Sequence, residues 1–307
     1  MRRLARHTFG VQYMGIVNRT PDSFFDGGRH LEGTAAHALV DALVADGVDI
    51  IDVGAESTRP GSSSVSVAEQ IRRLGETIPY AVSRGVAVSV DTTEPEVAAH
   101  ATAQGATWIN SVSLETAHEL GSVAAAAGAT LVLTHCRGSM TQMSDFGAYA
   151  DDGYTDVVRD VAAEWNAAAA LARDAGLADA RIVFDPGLGF TKNATQSLRL
   201  VANIAPLRAR VSGPGDTRRL ILAGIGRKSY LARTVADTLD IAPPPPSERL
   251  GLTVAAAIDC ADAGVDILRV HDVGAVRQAL AYLGRIRSER NDGGGPPPPV
   301  AEEHAGV

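Results

Sequence analysis

The chain has 307 residues, of which 45% are hydrophobic and 21% are charged, and its formal net charge at pH 7 is −8. An acidic chain without a basic stripe is poorly suited to the phosphate backbone of nucleic acids, so we expect no nucleic acid among its partners. The basic N-terminus lacks a sustained apolar stretch and no segment reaches about 18 consecutive apolar residues, so the sequence predicts a cytoplasmic protein without a membrane span.

Short apolar runs rich in β-branched residues alternate with Ala-rich segments along the chain. In order, the runs are YMGIVN, VDIIDVGA, VAVSVDT, ATWINSV, ATLVLTHC, RIVFD, RLILAGI and VDILRVHD. The segments between them have apolar residues at three- and four-residue steps and end at Gly, which is typical of amphipathic helices. Continuously apolar strands between helices predict a parallel sheet covered on both faces. Eight such units predict an α/β fold, a single-domain (β/α)8 TIM barrel, with a doubly wound open sheet as the alternative.

Polar residues follow every predicted strand. They are Asn18, ESTRPG at 56–61, Asp91, Asn110, THCRG at 134–138, DPGLGF at 185–190, GIGRKS at 224–229 and RVHD at 269–272. Any one of them could be a capping or turn residue, because strand-to-helix loops favour Asp, Asn and Gly. In a TIM barrel, however, all eight strand ends lie on the face that carries the active site. The eight together therefore predict an active site at this face.

Two Pro-rich segments bear on the domain boundaries. Residues 289–307 are rich in Pro and Gly and poor in apolar residues, so we predict a disordered tail there and place the barrel in residues 1–288. The segment APPPPSERL at 242–250 is interpreted as a stiff connection inside the seventh βα unit.

Seven segments resemble, in the same order, the signature segments of the dihydropteroate synthase family. They are MGIVNRTPDSFFDGG, DIIDVGAESTRPG, VSVDT, WIN, FDPGLGF, GRKS and RLGLTVAAA…RVHDV, and the resemblance runs from about residue 13 to 287. The resemblance implies a TIM-barrel enzyme that joins 6-hydroxymethyl-7,8-dihydropterin diphosphate to p-aminobenzoate and releases diphosphate. It further implies Mg²⁺ as cofactor, a homodimer, and a target of sulfonamides.

The resemblance also implies which residues bind the pterin: Asp91, Asn110, Asp185, Phe190 and Lys228. A carboxylate such as Asp185 can accept paired hydrogen bonds from the guanidine-like edge of a pterin, which Asn110 would complete. Lys228 would contact the ring carbonyl, and Asp91 would face the positive charge that develops on the pterin methylene. The residues alone also allow plainer roles, since Asp185 could start a turn before Pro-Gly and Asp91 could cap a helix.

For the remaining groups, the resemblance implies a diphosphate site and an aminobenzoate site. Diphosphate would be bound by Asn18, Arg59, Arg269 and His271, with Mg²⁺ on Asn18, and p-aminobenzoate by Phe24, Thr58, Arg59, Pro60, Phe190 and Ser229. Catalytic roles fall to Asp91, Lys228, Arg269 and His271. We expect the loop at 18–29 to fold over the site and exclude water. Ser229, at an expected helix N-terminus, can offer its hydroxyl and backbone N–H to the benzoate carboxylate.

The chain departs from the family pattern at several positions, among them Arg19 in NRT and Ala55 in DVGAE. Ser111 stands where the family usually has Asp, Thr134 and Cys136 stand where methionines are common, and Gly226 replaces Ser. Two alternatives therefore stay open: a pterin-binding paralogue without catalysis, whose first loop also reads NRT, and a corrinoid-linked methyltetrahydrofolate methyltransferase. The presence of ESTRPG, Asp91, Asp185, Lys228 and RVHD favours the synthase.

Overall fold

Eight parallel strands form a closed barrel. The computed structural model describes residues 9–19, 29–56, 65–138, 149–150, 153–211, 213 and 218–292, with backbone only at 29–32 and 291–292. The strands are β1 (Gln12–Asn18), β2 (Ile50–Gly54), β3 (Ala87–Asp91), β4 (Trp108–Ser111), β5 (Thr130–Thr134), β6 (Ile182–Asp185), β7 (Leu222–Gly224) and β8 (Ile267–Val270). Their order is β6-β5-β4-β3-β2-β1-β8-β7, and a parallel bridge between Phe184 and Ile221 joins the two ends. The predicted TIM barrel is confirmed and the open sheet is excluded.

Helices cover the outside of the barrel. They are α1 (Arg29–Ala45), α2 (Val67–Leu74), α3 (Thr77–Ser83), α4 (Pro95–Ala103), α5 (Ala117–Ala127), α6 (Val157–Asp174), α7 (Ala194–Ala202), α8 (Ile204–Val211), α9 (Ser229–Leu239), α10 (Leu250–Asp262) and α11 (Val273–Asp292). The Pro-rich connection lies between α9 and α10, inside the seventh unit as predicted. Within the described ranges, no helix is both long enough and apolar enough to cross a membrane.

The predicted start of the C-terminal tail is wrong by four residues. Helix α11 continues to Asp292, so residues 289–292 are helical. The Gly and Pro run that removes helix-forming potential begins only after Asp292, at Gly293. The rest of the predicted tail, 293–307, lies outside the described residues.

Local sequence fixes several helix ends. Asn193 and Gln196 form a reciprocal capping box at the start of α7. The Asp156 side chain accepts hydrogen bonds from two backbone N–H groups at the start of α6. Helix α5 ends at Gly128, whose φ of +64° suits glycine. Each device satisfies backbone groups that a helix end leaves unpaired.

The core has two apolar layers. One lies between the strands and the helices, where Trp165 of α6 packs edge-on against Phe184 at 5.1 Å and donates from Nε1 to the Leu133 carbonyl at 2.8 Å. The other fills the barrel and consists of Met14, Ile50, Val132, Val183, Leu222 and Ile267. Because side chains alternate along a strand, the residue two positions after each of these also points inward, one layer higher. This step brings Asp52, Asp185 and Arg269 above the apolar floor.

Candidate active site

Arg269 lies between two carboxylates at the barrel mouth. Its Nε donates to Asp52 Oδ2 at 2.6 Å, and its Nη2 donates to Asp91 Oδ2 at 2.6 Å. The same Asp52 oxygen accepts a hydrogen bond from Asn110 Nδ2 at 3.0 Å. Strands β8, β2, β3 and β4 thus each contribute one side chain to this ion-paired cluster. The alternative role of Asp91 as a helix cap is wrong, because Glu94 precedes the first residue of α4.

These charges alter one another's protonation. Burial raises the pKa of Asp91 to about 7; Arg269 opposes this shift and the negative charge of Asp52 adds to it. Burial acts to lower the pKa of Arg269, but Asp52 and Asp91 outweigh it and hold that pKa above its ordinary value. Two carboxylates therefore share one permanently charged guanidinium.

Asp185 has the turn role that the sequence allowed, and its second carboxylate oxygen stays free of that turn. Its Oδ1 accepts a hydrogen bond from the Gly187 backbone N–H at 2.7 Å, which forms the turn after β6. Its Oδ2 faces the neighbouring strand, where a Cβ on Gly224 would lie 3.8 Å from this oxygen and 3.9 Å from Lys228 Cε. Burial raises the pKa of Asp185. One carboxylate oxygen builds the loop, and the other lies on the same side of Gly224 that Lys228 approaches.

Lys228 and Phe190 form a cation above an apolar wall. Lys228 Nζ lies 3.9 Å from the centroid of the Phe190 ring, and Phe190 packs with Val112 and Cys136. Burial lowers the pKa of Lys228 to about 8, and the charge of Arg269 acts in the same direction. A flat heterocycle could stack on such a wall and accept a hydrogen bond from the ammonium group.

The N-terminus of α9 offers donors for an anion. Ser229 is the first residue of this helix, directly after Lys228. Its Oγ is buried and has no hydrogen-bond partner among the described residues. The free backbone N–H groups and the dipole of a helix N-terminus favour a carboxylate or phosphate. This position agrees with the expected placement of Ser229.

The remaining predicted residues are distributed around the rim or fall in undescribed segments. Asn18 ends β1 and is partly buried, while His271 follows β8 and is exposed. Gly226 lies close to His271, because a Cβ at this position would be 3.2 Å from the His271 backbone nitrogen. Four predicted aminobenzoate contacts lie outside the described residues: Phe24, Thr58, Arg59 and Pro60.

Ser111, which replaces the usual Asp, takes part in a local turn. Its Oγ accepts a hydrogen bond from the Ser113 N–H and lies 3.2 Å from the Ser113 carbonyl, to which it donates. The hydroxyl is therefore used within the loop after β4. Asp52, Asp91 and Asp185 are the carboxylates that lie on the barrel strands in the described part of the site.

A second buried cation supports the loop after β6. Lys192 Nζ donates to the carbonyls of His135, Gly187 and Phe190 at 3.0–3.2 Å and lies 2.9 Å from His135 Nδ1. Burial lowers the pKa of Lys192 to about 7 and that of His135 to about 4. The neutral imidazole thus accepts from Lys192 through Nδ1 and donates from Nε2 to Glu164 at 3.0 Å. Gly187, at φ +67°, leaves no room for a Cβ, which would lie 1.9 Å from the His135 carbonyl oxygen.

Two buried residues near the site, Asp52 and Lys192, were not predicted from the sequence. Both are charged and fully buried; Asp52 occurs inside the family-like segment DIIDVGAESTRPG, whereas Lys192 lies two residues after FDPGLGF. The available signal for Asp52 was the alternation Ile50, Asp52, Gly54 in β2. This alternation places a charged side chain on the face of an apolar strand that points into the barrel. The contacts of Lys192 with His135, Gly187 and Phe190, which we call the Lys192 network, have no comparable signal in the neighbouring sequence.

Comparison with known proteins agrees with this geometry. Residues 14–271 match the family model described as pterin binding enzyme. The dihydropteroate synthase of Synechocystis sp. is 35% identical over 270 residues, which cover 86% of this chain and 86% of that protein.

Solved structures give the same result. The Xanthomonas albilineans dihydropteroate synthase with 4-aminobenzoic acid has a TM-score of 0.78 at 34% identity, and the match covers 91% of this chain and 93% of that chain. The same enzyme in complex with 7,8-dihydropteroate has a TM-score of 0.73 at 30% identity, with 91% and 94% covered. The chain therefore belongs to the pterin binding enzyme family and, within it, to the dihydropteroate synthases.

Proposed function

We propose that the protein catalyses the synthase reaction, in which 6-hydroxymethyl-7,8-dihydropterin diphosphate and p-aminobenzoate form 7,8-dihydropteroate and diphosphate. The observation that carries the proposal is the placement of the Asp185 carboxylate and the Lys228 side chain beside the side-chain position of Gly224, with Lys228 over the Phe190 ring. An acceptor and a cationic donor on either side of a flat apolar surface complement the donor edge and the carbonyl of a pterin.

Pterin binding follows from the hydrogen-bonding capacity of the buried groups. Asp185 Oδ2 accepts from the amino and ring N–H groups of the heterocycle, and Asn110 extends this edge. Lys228 donates to the ring carbonyl, and the ring packs against Phe190. Because Asp185 and Asn110 are buried, leaving either without a partner is costly, and this cost selects for a ligand with matching donors.

In the reaction, the bond between the pterin methylene carbon and the diphosphate oxygen breaks, and diphosphate leaves with the electron pair. The amine nitrogen of p-aminobenzoate forms the new bond to this carbon and then loses a proton. Asp91 stabilises positive charge on the pterin side, and Arg269 and His271 bind the departing anion. Among the described residues, no acceptor is paired with Arg269 Nη1, so this donor is available to diphosphate.

We also propose that Mg²⁺ binds together with diphosphate, with Asn18 as its protein ligand. Mg²⁺ in phosphate-transfer sites is commonly held by one or two protein oxygens, water and substrate phosphates. The described residues contain no group of three His, Cys, Asp or Glu side chains that could hold a metal, and Asp52 and Asp91 are paired with Arg269. A single amide oxygen on Asn18 fits this mode. The bound ion would supply positive charge to the leaving group.

The aminobenzoate site is proposed to join Ser229 at the start of α9 with Phe190 and with Phe24, Thr58, Arg59 and Pro60. Its carboxylate binds the Ser229 hydroxyl and the helix N-terminus. A homodimer, a cytoplasmic location and a disordered tail remain predictions. Size-exclusion chromatography with light scattering tests the first.

Release of diphosphate measures the proposed function directly. Purified protein is incubated with dihydropterin diphosphate and Mg²⁺, with and without p-aminobenzoate, and both diphosphate and 7,8-dihydropteroate are quantified. We expect equal amounts of both products, formed only when p-aminobenzoate is present. A protein that binds dihydropterin but forms no dihydropteroate is the paralogue without catalysis, and this result would overturn the proposal.

A further inference from the structure

We propose that Asp52 is a positioning residue, whose carboxylate fixes the Asn110 amide with its oxygen toward the pterin and holds Arg269 beside it. The inference rests on the proposed function and assigns this residue a part in it. Asp52 lies on β2 and is completely buried. Its Oδ2 accepts from Asn110 Nδ2 at 3.0 Å and from Arg269 Nε at 2.6 Å.

The amide orientation follows from the chemistry of the partner. An ionised carboxylate only accepts hydrogen bonds, whereas a side-chain amide has a donor end and an acceptor end. Turning the Asn110 amide over would place its oxygen against the carboxylate oxygen, and the low polarity of the interior strengthens this repulsion. Asp52 therefore permits one of the two amide orientations.

The fixed orientation leaves a buried acceptor without a partner. Asn110 is 2% exposed, and its Oδ1 has no hydrogen-bond partner among the described residues. An unpaired buried carbonyl oxygen costs free energy that a ligand N–H group can recover. The exocyclic amino group of a pterin supplies such a donor. Asp52 thus determines that Asn110 presents a hydrogen-bond acceptor to the pocket. We expect the substrate to contact Asn110 but not Asp52 itself.

The hydrogen bonds of Asp52 also allow a positioning role to be distinguished from a role in balancing the charge of Arg269. Both donors use Oδ2, while Asp52 Oδ1 has no partner among the described residues. An Asn at this position can keep an oxygen in the place of Oδ2 and still accept from both donors, although it loses the negative charge. A positioning role predicts that Asp52→Asn retains pterin binding, and a charge-balancing role predicts that it does not.

Calorimetry with 6-hydroxymethyl-7,8-dihydropterin, which lacks diphosphate, distinguishes the two roles. We expect Asp52→Ala to raise the dissociation constant at least about tenfold and Asp52→Asn to change it less than about threefold. Ser89→Ala is the matched control, because Ser89 pairs in register with Asp52 on the adjacent strand and its buried Oγ has no described partner. This variant should bind as the wild type does. Unchanged binding by Asp52→Ala, or an equal loss in Asp52→Asn, would overturn the inference.

The side-chain amide of Asn110 gives a second readout that needs no ligand. We expect its Nδ2 protons to exchange slowly with solvent in wild type and in Asp52→Asn, and at least about tenfold faster in Asp52→Ala. Fast exchange in the wild type would overturn the inference. If Asp52→Ala does not fold, the Asn variant decides, and a loss above tenfold in its affinity contradicts the proposal. If the wild type binds no pterin, the proposed function fails, and amide exchange still tests Asp52.

Discussion

The chain contains only two lysines, Lys192 and Lys228, and they differ in what surrounds them. Lys192 Nζ donates to three backbone carbonyls and contacts His135 Nδ1, so its hydrogen-bonding capacity is used up within the fold. Lys228 Nζ lies over the Phe190 ring and makes no hydrogen bond or ion pair with any described residue. A buried cation with all donors satisfied supports structure, whereas one with free donors is available to a ligand.

The other polar groups around the two lysines divide in the same way. On the Lys192 side, Glu164 pairs with His135 and Arg137. On the Lys228 side, Asp52 Oδ1, Asn110 Oδ1 and Ser229 Oγ are buried without described partners. Because a buried polar atom without a partner is costly, we expect bound substrate to supply partners to Asn110 Oδ1 and Ser229 Oγ. Burial of charge alone does not distinguish the two sides.

The largest effect is expected from Lys228→Met. Removing the donor to the pterin carbonyl should lower kcat/KM for dihydropterin diphosphate by about 100- to 1000-fold. The free energy of unfolding should not fall, because no described partner loses a hydrogen bond. Steady-state diphosphate release and chemical denaturation measure the two quantities. A stable variant with nearly wild-type kcat/KM would contradict the assignment.

Lys192→Met should lower the stability of the fold more than it lowers pterin affinity. Three carbonyl oxygens lose their shared donor, so we expect the free energy of unfolding to fall by about 2–4 kcal/mol. The dissociation constant for pterin, measured where the variant is still folded, should change less than it does in Lys228→Met. A loss of pterin affinity without a loss of stability would reverse the roles of the two lysines.

The pH dependence of pterin binding tests whether Lys228 is the lysine that contacts the pterin. Burial lowers the pKa of Lys228 to about 8, and the protonated form donates to the pterin. Affinity should therefore weaken about tenfold per pH unit above this pKa, until the liganded protein also loses the proton. Lys228→Arg, which stays charged, should show no such decline. An identical pH profile in both proteins would show that another group titrates.

The smallest effect is expected from Glu164→Gln. Glu164 accepts from His135 Nε2 and from Arg137 in a partly exposed position, so the loss is limited to about 1 kcal/mol of unfolding free energy. Pterin affinity should remain within about twofold of wild type. A larger change in affinity would show that the Lys192 network controls the pocket, and thermal denaturation with parallel calorimetry measures both.

The sequence was sufficient for the barrel because strand and helix periodicities repeat eight times, and it also placed Asp185 and Lys228 at strand ends. It could not show that Asp185 divides its two oxygens between a turn and the pocket, because both roles use the same residue. Asp52 was missed since its partner Arg269 is 217 positions away, and only the closed barrel brings the two strands together. Lys192 depends on a carbonyl from the loop after β5, which no local pattern encodes.

The most direct test follows the two lysines while pterin binds. With ¹³Cε-labelled lysine, the protein should give two lysine methylene signals, which Lys228→Met assigns. We expect 6-hydroxymethyl-7,8-dihydropterin to shift the Lys228 signal at saturation and to leave the Lys192 signal nearly unchanged. A shift confined to Lys192, or no shift of either signal at saturating pterin, would contradict a pterin pocket beneath Lys228.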